Sequence, residues 1–179
     1  LKVPKSELDV FTLAFHVDYW DYIGWKDRFA NPSYTRRQRH LADINRQASI
    51  YTPEFFVDGL EARGSRHIID NIKNTNKVLS PIDLKLTLLQ VNNTIQIQLS
   101  SGYQQIQNPQ VSFILYENHL VSEVNDGENA GQTLRHQSVV RYLSPRQVLQ
   151  PELSHTIPIN PGWTQLNLGV GVLIKSKAD

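Results

Sequence analysis

The densest run of chemically capable side chains is His16-Val17-Asp18-Tyr19-Trp20-Asp21-Tyr22-Ile23-Gly24-Trp25-Lys26-Asp27. Asp18, Asp21 and Asp27, with His16 close by, are residue types that bind a hard cation or work as an acid–base pair. Their spacing fits no EF-hand, which needs a loop glycine and a terminal glutamate, and no zinc pattern. A ligand-facing surface and a metal site therefore stand beside a plainer, preferred reading. In that reading Asp18 and Asp21 cap turns while Trp20 and Trp25 pack against the domain.

Two further segments carry chemistry-bearing residues. In Tyr51-Thr52-Pro53-Glu54-Phe55-Phe56-Val57-Asp58-Gly59 a proline precedes an apolar run. Proline cannot donate to a ladder, so it belongs at a strand's start, and with nothing else known its peptide bond is expected to be trans. Asn125-Asp126-Gly127-Glu128-Asn129-Ala130-Gly131 is a polar turn, followed by Arg135, His136 and Arg141. His136 and Arg141 are an odd number of residues apart, so an unbulged strand cannot put them on one face. Glu128 or His136 would make polar contacts over a cleft of the first domain. The preferred reading makes this loop an interdomain hydrogen-bond anchor. His40, His67, His119 and His155 are scattered without metal-ligand spacing, and neither a phosphate loop nor a Gly-x-Ser-x-Gly elbow occurs.

The bulk composition narrows the classes. With 18 basic and 17 acidic residues and a net charge of +1, nothing pulls the chain towards nucleic acid or an anionic membrane. The basic cluster Arg36, Arg37 and Arg39 reads as a solvated helix face. No apolar run is long enough to span a bilayer, and no signal peptide is visible. The sequence contains no Cys, so these residues hold no disulfide, thiol nucleophile or Cys-bound zinc. No cofactor is expected, and the oligomeric state is left open.

Two regimes meet near Ser80-Pro81, predicting domains at 1–80 and 81–179. The first reads as α/β. It has a strand buried on both faces at 10–17, and a helix over 33–48 started by Asn31-Pro32-Ser33, with Tyr34, Leu41, Ile44 and Ala48 inward. A strand over 54–58 ends at Gly59. A second helix over 65–79 is capped by Ser65 and turns Ile68, Ile69, Ile72 and Leu79 inward. The second regime is all-β. Ile82, Leu84, Leu86 and Leu88 alternate strictly, as do Ile95, Ile97 and Leu99 after an Asn92-Asn93 turn, predicting a hairpin with one buried face. Further strands are expected at 111–117, 120–124, 134–143, 153–159 and 166–174, together a β-sandwich of roughly 100 residues.

AFHVDYWDYIGWKDRFANPSYTRRQR, YTPEFFVDG and GENAGQTLRHQSVVR resemble, in order and approximate spacing, the three best-marked blocks of the DUF1223 family. The resemblance implies a bacterial protein, secreted or periplasmic, with a thioredoxin-like domain followed by an added β domain. It also implies a Cys-x-x-Cys-like motif on a strand and helix upstream of the FHVDYWD strand. That segment is missing here, so the first domain is expected to be truncated. On this view Pro53 is cis and, with Thr52, shapes the wall beside the absent cysteines. Asp18, Trp20, Asp21 and Trp25 form the rim, and Asp18 can shuttle protons. The implied function is an envelope thiol–disulfide oxidoreductase or redox sensor acting on a protein thiol or disulfide. A non-enzymatic binding module and, more weakly, a metal-assisted hydrolase using Asp18, Asp21 and Asp27 are the alternatives.

Overall fold

The computed structural model describes residues 10–75, 82–103 and 107–175. Most of its regular structure is β-sheet, with two α-helices among the described residues. It divides into two compact units, the first taking in residues up to 75 together with Asp126–Glu128, the second the remainder.

In the first unit, helix α1 spans Pro32–Ile44. Asn31 is extended and its side chain accepts the Ser33 N–H at 2.9 Å, while Pro32 needs no helical donor at the first position. The inward face is not the expected one. Tyr34, Thr35, Gln38 and Ala42 are buried, whereas Ile44 is 44% exposed. Two polar residues face inward, where the Thr35 hydroxyl and the Gln38 amide N–H find the hydrogen-bond partners described below. The helix also stops before Ala48, since Arg46 turns to a φ of 55°. At that end the Asn45 amide donates to the carbonyls of Leu41 and Gly59, each at 2.8 Å, and its oxygen accepts the Glu61 N–H at 3.0 Å.

Those contacts clamp a hairpin where one longer strand is predicted. β1 is Phe56–Val57 and β2 is Leu60–Glu61, joined at Asp58-Gly59 with φ of 49° and 84°. Positive φ at both positions is what an Asp-Gly type I′ turn requires, and it reverses the chain at once. Helix α2 follows over Ser65–Thr75, with Ile68 buried. The expected Ser65 cap and the last turn with Leu79 lie outside the described residues, as does the Ser80-Pro81 junction. The run 10–17 is not a regular strand: Ala14 forms a single bridge, and Phe11 is 55% exposed. An apolar run becomes a two-faced strand only where ladder partners flank it, and the described residues supply one bridge.

In the second unit, β3 (Ile82–Val91) and β4 (Thr94–Tyr103) form the predicted hairpin, turning at Asn92-Asn93. β5 is Gln110–Glu117, β6 Leu120–Glu123, β7 Thr133–His136, β8 Val139–Leu143, β9 Gln147–Val148, β10 Glu152–Pro158 and β11 Leu168–Lys175. The strand expected over 134–143 is two, because Ser138 breaks it at a φ of 53° and donates its N–H to Asn118. One sheet runs β10-β4-β3, another β11-β5-β8 with β9 also on β5, and β6-β7 make a separate ribbon. Ile95, Ile97, Leu99, Ile157 and Ile159 meet Val111, Phe113, Leu115 and Leu149 in one core. Each such side chain contributes on the order of 1.5–3 kcal/mol on burial. On β3, Ile82 and Leu86 pack against this core, but Leu84 and Leu88 stay 39% and 49% exposed.

Candidate functional site

The loop from His16 to Asn31 is held by side chains bonding to one another and to the backbone. The His16 Nδ1 pairs with Asp27 Oδ2 at 2.5 Å, each side chain under one-fifth exposed, and the Phe29 ring stands edge-on to the imidazole. The other Asp27 oxygen accepts the Phe29 N–H at 2.9 Å, and the Asp27 N–H donates to Asp21 at 3.3 Å. A separate pair anchors Asp18. The Thr35 hydroxyl on α1 donates to its carboxylate at 2.5 Å and accepts the Asp18 N–H at 3.2 Å. The three aspartates thus have different protein partners, and among the described residues no three His, Asp or Glu group to hold a metal ion. The carboxylate arrangement supplies a buttressed His–Asp pair and a fixed Asp18, and it gives the metal-assisted hydrolase no support.

The tryptophans divide by role. Trp20 is 42% exposed and stacks with Tyr22, which is 79% exposed, at a centroid distance of 6.3 Å. A short 3-10 turn over Asp21–Ile23 lays out this ledge, and Gly24 ends it at a φ of 112°. The Trp20 indole N–H donates to the Thr52 hydroxyl at 2.8 Å. Tyr19 lies 5.3 Å from the Trp20 ring, and burial raises its phenol above the ordinary value. Trp25 is instead half-buried, with Gly127 close to its backbone: a Cβ on that glycine would lie 3.5 Å from the Trp25 Cβ and 3.2 Å from the Ile23 carbonyl. Residues 126–128 therefore form part of the first unit's own packing. Glu128 is exposed, and His136 bonds Ser122 across the β6-β7 ribbon at 3.0 Å.

Thr52 and Pro53 are exposed, and the bond between them is cis, as the resemblance implies. Behind them the Gln38 amide donates to the Tyr51 carbonyl at 2.7 Å and to Glu54 at 2.6 Å. Pro53 also lines an open, largely apolar cavity of about 420 Å³ with Tyr51, Phe55, Ala62, Arg63, Gly64 and Ile68. At its rim the Arg63 guanidinium lies 4.8 Å above the Tyr51 ring and pairs with Glu61 at 2.5 Å. Burial and then the Glu61 hydrogen bond push the Tyr51 phenol up. The nearby Gln47 amide and the paired Arg63 guanidinium hold the Glu61 carboxyl below the usual range.

Of the residues singled out in the sequence, Trp20 and Thr52 meet directly beside Pro53, and Asp21 meets Asp27. Asp18, Glu128 and His136 each have other surroundings. Sequence reasoning missed Thr35, Gln38 and Asn45, the positioning residues of this unit. Only the Asp-Gly pair at 58–59 carried a signal, for the turn that Asn45 clamps.

A family model described as a protein of unknown function, DUF1223, matches residues 2–175. The chain belongs to the DUF1223 family. No curated protein matches this DUF1223 chain. Solved structures similar to it include a protein of Agrobacterium tumefaciens, 19% identical with a TM-score of 0.52, covering 82% of this chain and 63% of that one. HBP35 of Porphyromonas gingivalis is 14% identical with a TM-score of 0.60, covering 80% of this chain and 52% of that one. The DUF1223 chain therefore spans less than two thirds of either solved chain, and the likeness is one of fold.

Proposed function

We propose that the first unit is a thioredoxin-like module of a bacterial envelope protein. In this reading it recognises an extended polypeptide beside Pro53 for thiol–disulfide exchange, with the cysteines supplied from outside this sequence. The observation that carries the reading is the Trp20–Thr52 hydrogen bond, which joins an exposed aromatic ledge to the exposed Pro53. The apolar cavity on which Pro53 also borders gives a side chain of the polypeptide somewhere to sit. Thr52 and Pro53 are the wall, and Trp20, Asp21, Trp25 and Asp27 the rim. Asp18, fixed by Thr35, exchanges protons with the reacting sulfurs, and Glu128 adds a polar contact. The envelope location rests on the resemblance. Among the described residues no helix is long and apolar enough to cross a membrane.

A second reading, a binding module without chemistry, is favoured by the exposure of the stacked Trp20 and Tyr22, since rigid aromatics anchor recognition surfaces. One experiment separates the two. The protein encoded by the whole gene is tested for titratable thiols, for insulin reduction, and for binding of the reduced, carboxymethylated insulin B chain. Turnover that is lost on replacing its cysteines, with peptide affinity lowered about tenfold by Trp20→Ala, supports exchange. Binding without turnover leaves the module alone. Neither binding nor turnover sinks both.

A further inference from the structure

The cavity beside Pro53 is apolar inside and charged at one edge. Pro53, Phe55, Ala62 and Ile68 supply apolar wall. Ala62 is 2% exposed and donates its N–H to the Phe55 carbonyl at 2.9 Å. That bond continues the β1–β2 pairing by one step, so Phe55 and Ala62 are fixed to each other. Gly64 also lines the cavity, and nothing lies within 4 Å of where a Cβ on it would stand. The volume of about 420 Å³ accommodates one large apolar side chain.

The charged edge is Arg63, and its guanidinium is held in place. Its Nε pairs with Glu61 Oε1 at 2.5 Å, and its plane lies 4.8 Å from the centre of the Tyr51 ring. The Tyr51 hydroxyl donates to the same Glu61 oxygen at 2.9 Å. Tyr51 therefore steadies Arg63 twice, through its ring and through Glu61. The Nε bond engages one of the N–H donors of the fork. With the side chain 63% exposed, the terminal amino groups are the part within reach of a ligand. A guanidinium steadied in this way suits a carboxylate, which it grips with two parallel N–H donors. Glu61 is only 18% exposed and already engaged, and the Glu54 carboxylate bonds Gln38 instead. Helix α2 starts at the cavity, since the Gly64 carbonyl accepts the Ile68 N–H at 3.1 Å. The positive end of its dipole adds to the charge of Arg63.

We propose that the polypeptide bound beside Pro53 is one with an apolar side chain for the cavity and a carboxylate, two residues away, for Arg63. This rests on the reading of the first unit as a polypeptide-recognising module. Charge complementarity selects the partner. An extended chain turns alternate side chains to one face, spaced about 7 Å apart, so a single face offers both groups to the cavity and its edge. An aspartate or glutamate at that place makes a charge-assisted pair with Arg63, an amide makes an ordinary hydrogen bond, and a lysine is repelled. The cavity thus discriminates by charge as well as by size.

The test is calorimetric titration of the protein encoded by the whole gene with three capped pentapeptides. They are Asp-Ala-Phe-Ala-Asp, its diamide Asn-Ala-Phe-Ala-Asn, and Asp-Ala-Ala-Ala-Asp, which lacks the apolar group. The first should bind about tenfold more tightly than either of the others. Arg63→Ala, at an exposed position, should remove the preference over the diamide and keep the preference over the alanine peptide. Arg63→Lys retains the charge without the fork and should keep only part of the first preference. Phenylpropionate offers an apolar group and a carboxylate without a chain, and it should bind about tenfold more weakly than the first peptide. Equal affinity for acid and amide peptides, or a preference that survives Arg63→Ala, overturns this specificity and leaves polypeptide recognition standing. An alanine peptide that binds as well as the first removes the cavity from the proposal and overturns it. Phenylpropionate binding as tightly as the first peptide makes the cavity a site for a small carboxylic acid, and that too overturns it. A protein that binds none of the peptides overturns both the specificity and the reading beneath it.

Discussion

At the scale of the residue, the first unit depends on polar side chains that a sequence pattern assigns to solvent. Thr35 is 6% exposed and both donates to and accepts from Asp18. Valine has nearly the same shape but neither function, so Thr35→Val leaves the Asp18 N–H and carboxylate short of a partner inside the fold. The expected cost is about 1–3 kcal/mol, read as a lower urea midpoint. Asp18→Ala in the same background should then cost little more, because the coupled pair is already broken. The Asp–Trp loop was legible because its residues are uncommon in such density. Thr35, Gln38 and Asn45 were not, because a threonine, glutamine or asparagine in a helical stretch looks like any surface residue until its tertiary partner is known. The sequence also offered no way to tell that Trp20 would bond Thr52 while the Trp25 backbone would lie close to Gly127.

At the scale of the element, alternation was the more faithful guide. The β3–β4 hairpin and β10 were readable because a strand with one buried face imposes a period of two that a helix cannot produce. The first unit was harder. Its apolar run at 10–17 has the composition of a central strand, but a strand is a pairing and not a composition. Gly59 reads as the end of a strand, yet the Asp-Gly dipeptide it completes is a hairpin signal, and the chain reverses there. Glycine also governs the pairing of β11 with β5. Gly169 faces Tyr116 across the ladder, and a Cβ there would overlap the tyrosine ring. Gly169→Ala must drive the tyrosine from its rotamer, costing about 1 kcal/mol. The same change in a Tyr116→Ala background should be close to neutral, and chemical denaturation of all four proteins gives the coupling. Equal costs in both backgrounds would mean that the ring is not what the methyl meets.

At the scale of the whole molecule, stability should respond to acid through the second unit's core. His155 stacks on Phe113 at 4.6 Å and meets the Tyr142 hydroxyl at 3.1 Å, and burial holds its imidazole below the ordinary 6.5. Above that pH neither the folded nor the unfolded chain protonates it. As pH falls through 6.5 the unfolded chain takes up a proton that the folded one resists, so stability declines until the folded value is also passed. Between about pH 7.5 and pH 5.5 the wild-type denaturation midpoint should therefore fall further than that of His155→Phe. Equal declines would show that other groups carry the dependence. The buried apolar residues are divided just as unevenly. Among the described residues the first unit buries Phe29, Tyr34, Ala42, Ala62 and Ile68, while the second closes two sheets over a continuous apolar core. Opening free energies follow such differences. Amide protons on α1 and in the β1–β2 hairpin would then trade with deuterium long before those of β4 and β5. The recognition surface would belong to a part of the chain that visits its unfolded form while the rest stays intact.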